Sequence, residues 1–141
     1  MIILDTNVVS ETVKPRPDES VLNWLSEQDP EQFFLCGPCL MEQSYGAERY
    51  ARKTGSRRFV DHLEDLSKVR FAGRIIEFVD PAPVLAGRIR ADRESAGRPM
   101  STPDAMIAAI CRAHGATLAT RNVRDFEGVG IALVNPFEPA G

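Results

Sequence analysis

Short apolar runs alternate with longer amphipathic stretches along this chain. The runs cover residues 2–4, 33–35, 75–79, 117–120 and 131–134. Each run is too short for a helix of ordinary length, and each therefore predicts a strand. Strands without a polar face are typical of a parallel sheet that is covered on both sides. We therefore predict a mostly parallel central sheet of five strands.

The stretches between these runs predict helices, because apolar residues recur there at helical spacing. Asp18, Asp80 and Thr102 are predicted to cap the starts of helices. Gly55 and Gly115 are predicted to end helices. The predicted helices span residues 7–13, 19–29, 40–53, 59–69, 81–96 and 103–114. Strands that alternate with helices predict a single domain, residues 1–141, with an α/β fold in three layers, α/β/α.

Composition is that of an ordinary globular domain, with 43% hydrophobic and 26% charged residues. It excludes a disordered, collagen-like or disulfide-stapled chain. The distribution of charge is more informative, because residues 1–48 carry a net charge of −7 and residues 49–141 a net charge of +4. Of the 17 basic residues, 14 are Arg, whose planar guanidinium suits phosphate groups. A general bias of composition toward Arg explains this surplus equally well.

The cysteines and the start of the chain bear on location. Three cysteines, an odd number, argue against a secreted disulfide framework. The apolar opening stops at Asp5 and follows no basic stretch, so it is unlike a signal peptide. No apolar run approaches the length of a membrane-spanning helix. We therefore predict a cytoplasmic protein without membrane contact.

Four acidic residues fall near the carboxyl ends of predicted strands or in the first turn of a helix. In open parallel sheets, ligands bind at this edge. Carboxylates that converge repel each other unless a cation joins them, and Mg²⁺ and Mn²⁺ prefer such oxygen ligands. An ion of this kind can support phosphodiester hydrolysis. The four candidates for catalysis are Asp5, Glu42, Asp104 and Asp125.

Each of these acids also has a purely structural interpretation. Asp5 can cap the first short helix, and Asp125 can belong to a turn. Glu42 and Asp104 can be ordinary acids of a first helical turn, where they stabilise the helix dipole. For any one residue taken alone, the structural interpretation is favoured. The four together, at one edge of the sheet, favour a metal site.

Three stretches of the sequence resemble a known family. The first is Met1-Ile2-Ile3-Leu4-Asp5-Thr6-Asn7-Val8-Val9-Ser10-Glu11, and the others span residues 97–109 and 115–126. The stretch 97–109 contains Ser101-Thr102-Pro103-Asp104-Ala105, and the stretch 115–126 contains Thr120-Arg121-Asn122. They resemble the PIN-domain ribonucleases, in particular the VapC and FitB toxins of toxin–antitoxin pairs. The resemblance covers the whole chain.

The resemblance implies an endoribonuclease that depends on Mg²⁺ or Mn²⁺ and hydrolyses RNA phosphodiester bonds. Asp5, Glu42 and Asp104 match the three acids of the family's metal site. The position at which many relatives carry a fourth acid is occupied by Asn122, which supplies no charge. Asp125 can compensate for that loss.

The resemblance also implies supporting residues and partners. Thr6 and Asn7 match a polar pair that orients the first acid, and Thr120 matches a hydroxyl that supports the site. Arg121 and Arg124 flank Asn122 and are candidates for gripping RNA phosphate. The expected partners are an RNA substrate and a cognate antitoxin that inserts a basic side chain where the acids converge. DNA is expected only indirectly, through the antitoxin, and the chain is expected to form a homodimer.

Two alternative functions follow from particular residues. Asn122 motivates a catalytically weakened PIN-like binding module, which assembles with a partner but does not cleave. Cys36-Gly37-Pro38-Cys39, between a predicted strand and a predicted helix, is the local layout of thiol–disulfide oxidoreductases. Cys39 can instead replace a Ser or Thr as helix cap, with Glu42 three residues later as in a capping box. A disulfide between Cys36 and Cys39 would then affect the neighbouring Glu42.

Overall fold

A parallel five-stranded sheet forms the centre of the molecule, with the strand order β3-β2-β1-β4-β5. The structure is a computed structural model that describes residues 1–139. The strands are β1 Ile2–Leu4, β2 Phe33–Cys36, β3 Ile75–Ile76, β4 Thr117–Ala119 and β5 Ala132–Val134. The helices are α1 Thr6–Glu11, α2 Glu19–Glu27, α3 Gly37–Thr54, α4 Arg58–Asp65, α5 Ala82–Ser95 and α6 Thr102–His114. The predicted α/β fold with a parallel sheet is confirmed.

The two faces of the sheet bury different clusters of apolar side chains. Ile3 and Leu118 pack with residues of α5 and α6, such as Ile89 and Ile110. The neighbouring strand positions, including Leu4, pack with residues of α1 and α2 on the opposite face. Successive strand residues point to opposite faces, and both faces are covered. This explains why the strands are apolar throughout and why the domain has three layers.

Two predicted boundaries are wrong, because a partner strand or the adjacent residues decide where the element ends or begins. The third strand was expected over residues 75–79, but β3 contains only Ile75 and Ile76. Ile76 pairs with Cys36, the last residue of β2, so the edge strand has no partner beyond that point. The helix expected from residue 40 begins at Gly37, with Pro38 in its first turn, where the fixed φ of proline is compatible with a helix.

Three of the predicted caps are confirmed. The Asp18 carboxylate accepts hydrogen bonds from the backbone N–H groups of Ser20 at 2.8 Å and Val21 at 3.3 Å, at the start of α2. Gly55 and Gly115 end α3 and α6 with φ angles of 77° and 60°. This left-handed region is open to glycine at little cost.

Three other candidate caps, Asp80, Thr102 and Cys39, are wrong. Pro81, not Asp80, precedes the first residue of α5, and no side chain caps that helix. In α6 the cap is Ser101, whose hydroxyl accepts a hydrogen bond from the Asp104 N–H at 3.2 Å, and Thr102 is the first helical residue. Cys39 is not a cap either, because it lies inside α3 and Cys36 holds the cap position without a side-chain hydrogen bond.

Other expected elements are confirmed with shifted ends. The helix expected over residues 7–13 is the shorter α1, and strands β4 and β5 are each one residue shorter than expected. The helix expected over residues 59–69 is divided into α4 and a π-helical turn, Leu66–Arg70. Within residues 1–139, no helix is both long and apolar enough to span a bilayer.

Candidate active site

Asp5 lies at the carboxyl end of the central strand β1 and is held through both of its carboxylate oxygens. It is only 6% exposed. Oδ1 accepts a hydrogen bond from the Thr6 backbone N–H at 2.8 Å, and Oδ2 accepts one from the Thr120 hydroxyl at 2.8 Å. Asp5 therefore does cap α1, as its structural interpretation requires. The same two hydrogen bonds also fix the orientation of a carboxylate at the edge of the sheet.

Thr120 connects Asp5 to the loop that follows β4. Its hydroxyl is fully buried, donates to Asp5 and accepts a hydrogen bond from the Asn122 N–H at 3.0 Å. Its backbone N–H donates to the carbonyl of Val134 in β5 at 2.9 Å. The expected supporting role of Thr120 is thus matched by a direct contact with Asp5.

The two polar residues after Asp5 contact their surroundings in different ways. The Asn7 side-chain amide nitrogen lies 3.5 Å from Asp5 Oδ2, while its oxygen accepts a hydrogen bond from the Arg121 N–H at 3.1 Å. Thr6 orients Asp5 through its backbone N–H and not through its hydroxyl. Among residues 1–139, the Thr6 hydroxyl is one of two buried side-chain atoms without a hydrogen-bond partner; the other is His62 Nε2.

Glu42 and Asp104 approach Asp5 from two helices. Glu42 is in the second turn of α3 and Asp104 in the first turn of α6. Burial raises the pKa of Glu42, and the negative charges of Asp5 and Asp104 raise it further. Burial also raises the pKa of Asp104; the hydrogen bond with Ser101 opposes this rise, and the charges of Asp5 and Asp125 add to it. The negative charges of Asp5, Glu42 and Asp104 therefore act on one another at the sheet edge that the sequence predicts.

The chemistry of this donor set fits a hard divalent cation. Asp5, Glu42 and Asp104 offer carboxylate oxygens only, and a cation would offset the repulsion that raises the pKa values of two of them. In the described part of the chain, no three His, Cys, Asp or Glu side chains are arranged so that together they could hold a metal ion. Mg²⁺ keeps several waters and is usually bound through only one or two carboxylates, so it does not require three side chains at bonding distance.

The loop after β4 carries the remaining predicted residues. Asp125 lies in a 3₁₀ turn, Val123–Phe126, and is exposed, but its charge raises the pKa of Asp104. The side chain of Asn122 is exposed at the rim. The guanidinium of Arg121 lies 3.8 Å from the centre of the Phe137 ring, and Arg124 is exposed. All four residues are thus on one loop beside the acids.

The cysteine pair lies directly behind Asp5. Cys36 Sγ and Cys39 Sγ are 3.3 Å apart, and Cys39 Sγ is 3.8 Å from Asp5 Oδ1. Both thiols are buried and form no disulfide. The hydrogen bond that Cys39 shares with Cys36, followed by burial and the nearby negative charges, raises the pKa of Cys39. Thiol exchange requires an accessible thiolate, so this environment opposes the oxidoreductase alternative.

A groove between α1, α3 and α4 opens beside Glu42, and the sequence analysis did not predict it. Its volume is about 370 Å³. The lining is mainly apolar, with Tyr50, Phe59 and Leu63 on its walls, and Thr6 and Glu42 lie at the end nearest Asp5. One signal for the groove was present in the sequence. Tyr50 follows Glu42 by about two turns of α3, which places both residues on the same face of the helix.

The comparison with known proteins identifies the class. The sequence matches the model of the PIN domain over residues 2–131, and the chain belongs to the PIN-domain family. It is similar to VapC ribonuclease Y4jK of Sinorhizobium fredii, with 37% identity over 99% of this chain and 100% of that protein. It is also similar to toxin FitB of Neisseria gonorrhoeae, with 32% identity over 97% of this chain and 99% of that protein. The resemblance to VapC and FitB is confirmed.

A solved structure supports the same assignment at the level of the fold. It is that of FitAB bound to an IR36 DNA fragment, which superposes with a TM-score of 0.87 and 30% identity. The match covers 100% of this chain and 99% of the chain in that structure. The full arrangement of strands and helices is therefore shared with a PIN-domain toxin assembly.

Proposed function

We propose that this protein is a metal-dependent endoribonuclease and the toxin component of a toxin–antitoxin pair. The observation that carries the proposal is electrostatic: at the carboxyl edge of a parallel sheet, the charges of Asp5 and Asp104 raise the pKa of Glu42, and the charge of Asp5 raises that of Asp104. The names of the relatives, a VapC ribonuclease and a FitB toxin, support the same reaction and the same biological role. An exposed Arg124 on the adjoining loop supports a polyanionic substrate.

The residues have distinct roles in this proposal. Asp5 and Asp104 hold Mg²⁺ or Mn²⁺ through carboxylate oxygens, and Asp5 is kept in place by Thr6 and Thr120. The bound ion supplies positive charge that stabilises the phosphoryl transition state and promotes ionisation of the attacking water. Glu42 either holds the ion as well or positions that water. A raised pKa makes the Glu42 carboxylate a better proton acceptor.

Asp125 and Asn122 complete the site at its rim in this proposal. Asp125 contributes a fourth negative charge, which acts on Asp104. Asn122 stands at the position of the additional acid in many relatives and can hold a water through its amide oxygen. Arg121 and Arg124 lie on the same loop and are proposed to bind RNA phosphates, which would place the backbone of the RNA across the acidic edge.

The decisive experiment is cleavage of labelled RNA by purified protein with Mg²⁺, with Mn²⁺ or with EDTA. We expect cleavage with either ion and none with EDTA, restored when excess Mg²⁺ is added back. Circular dichroism with and without EDTA controls for folding. Equal cleavage in EDTA contradicts a metal-dependent reaction. A folded protein that binds Mn²⁺ and RNA without cleaving any of a panel of structured and unstructured RNAs supports the binding-module alternative instead.

We further propose that the antitoxin occupies the groove between α1, α3 and α4 and reaches the acids with a basic side chain. The groove is apolar and ends at Glu42, so a segment with apolar residues followed by Arg or Lys would match it in both polarity and charge. The solved structure of FitAB bound to a DNA fragment supports a complex that binds DNA, and we propose that in this protein's complex the DNA contact comes through the antitoxin. Formation of a homodimer remains a prediction.

Gly46→Phe tests this placement. Gly46 is exposed on the groove wall, and a Cβ atom added there meets no atom within 4 Å. The new side chain is uncharged, so it does not pair with Glu42 one helical turn away. We expect the variant to fold and to cleave RNA like the wild type, but to lose co-purification with its antitoxin and inhibition by it. Gly87→Phe, at an open position on α5, is the matched control. Antitoxin binding by Gly46→Phe at wild-type affinity would place the antitoxin elsewhere.

A further inference from the structure

Arg93 on α5 is a buried cation without a carboxylate partner. It is 9% exposed. None of the ion pairs within residues 1–139 includes it. A buried charge without a counterion is costly, so its retention calls for a specific interaction. The sequence analysis did not single out this residue.

The hydrogen bonds of Arg93 all go to backbone carbonyls. Its Nε donates to Arg98 at 2.8 Å, and its Nη1 donates to Asp125 at 3.1 Å and to Glu127 at 3.0 Å. The planar guanidinium is suited to donating along several directions at once. It therefore ties α5 to the segment Val123–Glu127, which carries Asp125. Because the acceptors are neutral, the positive charge of Arg93 stays uncompensated by them.

Arg93 acts on this segment from beneath the loop and not from the open edge. Its side chain is buried, and its N–H groups point into the loop, at the carbonyls of Asp125 and Glu127.

We propose that Arg93 is a positioning residue of the acidic site. It fixes the segment Val123–Glu127, and with it Asp125, beside Asp104. The inference deepens the proposed function and rests on it in so far as the acids bind a divalent ion.

Three variants separate these roles. Arg93→Lys keeps the charge but loses the planar fork, and Arg93→Met loses both. Arg98→Met is the matched control, because Arg98 also donates to this segment, to the Arg124 carbonyl at 3.3 Å, but is exposed. Each variant is measured for Mn²⁺ affinity by calorimetry, for amide hydrogen exchange in residues 123–127, and for kcat and KM of RNA cleavage.

The expected pattern differs between the variants. Both Arg93 variants keep the Mn²⁺ affinity of the wild type, because they retain Asp5, Glu42 and Asp104. Both Arg93 variants exchange faster at residues 123–127 and lower kcat about 10–100-fold with little change in KM, as for other supporting residues of metal sites. Arg98→Met resembles the wild type in all three measurements.

Other results would overturn the proposal. If Arg93→Met loses Mn²⁺ affinity, Arg93 acts on the metal ligands and not only on the segment Val123–Glu127. If hydrogen exchange at residues 123–127 is unchanged in both Arg93 variants, the residue does not fix the segment. Should Arg93→Met fail to fold, Arg93→Gln replaces it. A wild type that binds Mn²⁺ without cleaving RNA contradicts the proposed function but leaves the affinity and exchange tests of Arg93 intact.

Discussion

Replacing Asp5 by Asn is expected to lower the rate of RNA cleavage about 10³-fold, while the protein stays folded. The change removes the charge of a buried carboxylate in the centre of the acidic edge. A fall in rate of about 10³-fold corresponds to about 4 kcal/mol of lost transition-state stabilisation, which is the order of effect expected from charge stabilisation by a bound ion. Asn keeps the size of the side chain and an oxygen that can accept the Thr6 N–H. The capping of α1 is therefore retained. Initial rates at saturating Mg²⁺ and the thermal midpoint measure the two effects.

The matched control for this change is Asp18→Asn. Asp18 caps α2 as Asp5 caps α1, but it is not one of the acids proposed to bind the ion. Asn serves equally well as an N-cap, so this variant should keep both its stability and its cleavage activity. Cleavage by Asp5→Asn at more than about a tenth of the wild-type rate would mean that Asp5 is only a helix cap.

Replacing Glu42 by Gln is expected to abolish most cleavage and, at pH 7, to raise the thermal midpoint by a few degrees. The pKa of Glu42 is raised by burial and by Asp5 and Asp104, so the charged form is less favourable in the folded protein than in the unfolded chain. A carboxyl of this kind favours folding below its ordinary pKa of 4.5, and that contribution is lost as the pH rises through the raised value. At neutral pH the charge therefore destabilises the fold, and a neutral amide removes the penalty.

Thermal unfolding without metal, measured at pH 7 and at a pH well below 4.5, tests whether the charge of Glu42 destabilises the fold at neutral pH. We expect the difference between Glu42→Gln and the wild type to disappear at the lower pH, where Glu42 is protonated in both states. Glu31→Gln, at an exposed position, is the control and should leave the midpoint unchanged. In RNA cleavage the wild type should lose activity as the pH falls, since a protonated Glu42 neither holds a cation nor accepts a proton. Identical midpoints at both pH values would contradict the electrostatic origin.

The layered fold was predictable because its signals are local. Ile3 and Leu4 are adjacent and both buried, each in a different apolar cluster, so a run without polar residues indicates a strand covered on both faces. Asp18 caps a helix through N–H groups two and three residues later, and Gly55 ends one through its own φ angle. Such contacts lie within one turn of the chain, and residue type is enough to predict them.

The errors arose where a distant segment decides the outcome. β3 ends at Ile76 because its neighbour ends at Cys36, 40 positions earlier in the chain, and a strand at the edge of a sheet is no longer than its partner. Asp80 and Thr102 are suitable caps by residue type, but the turns before α5 and α6 place Pro81 and Ser101 at those positions. Propensity ranks the candidates, and packing selects among them.

The sequence by itself predicts the kind of chemistry at the site, through the type of residue at the ends of strands and the starts of helices. Acids such as Asp5 and Asp104, taken together, predict an oxygen-only site for a hard cation. Only the tertiary structure decided how the site is held. Thr120, 115 positions from Asp5, donates to its carboxylate, and Cys39 lies behind it. Hydrogen bonding, burial and the effect of one charge on another depend on distances in space, and the folded chain alone defines these distances.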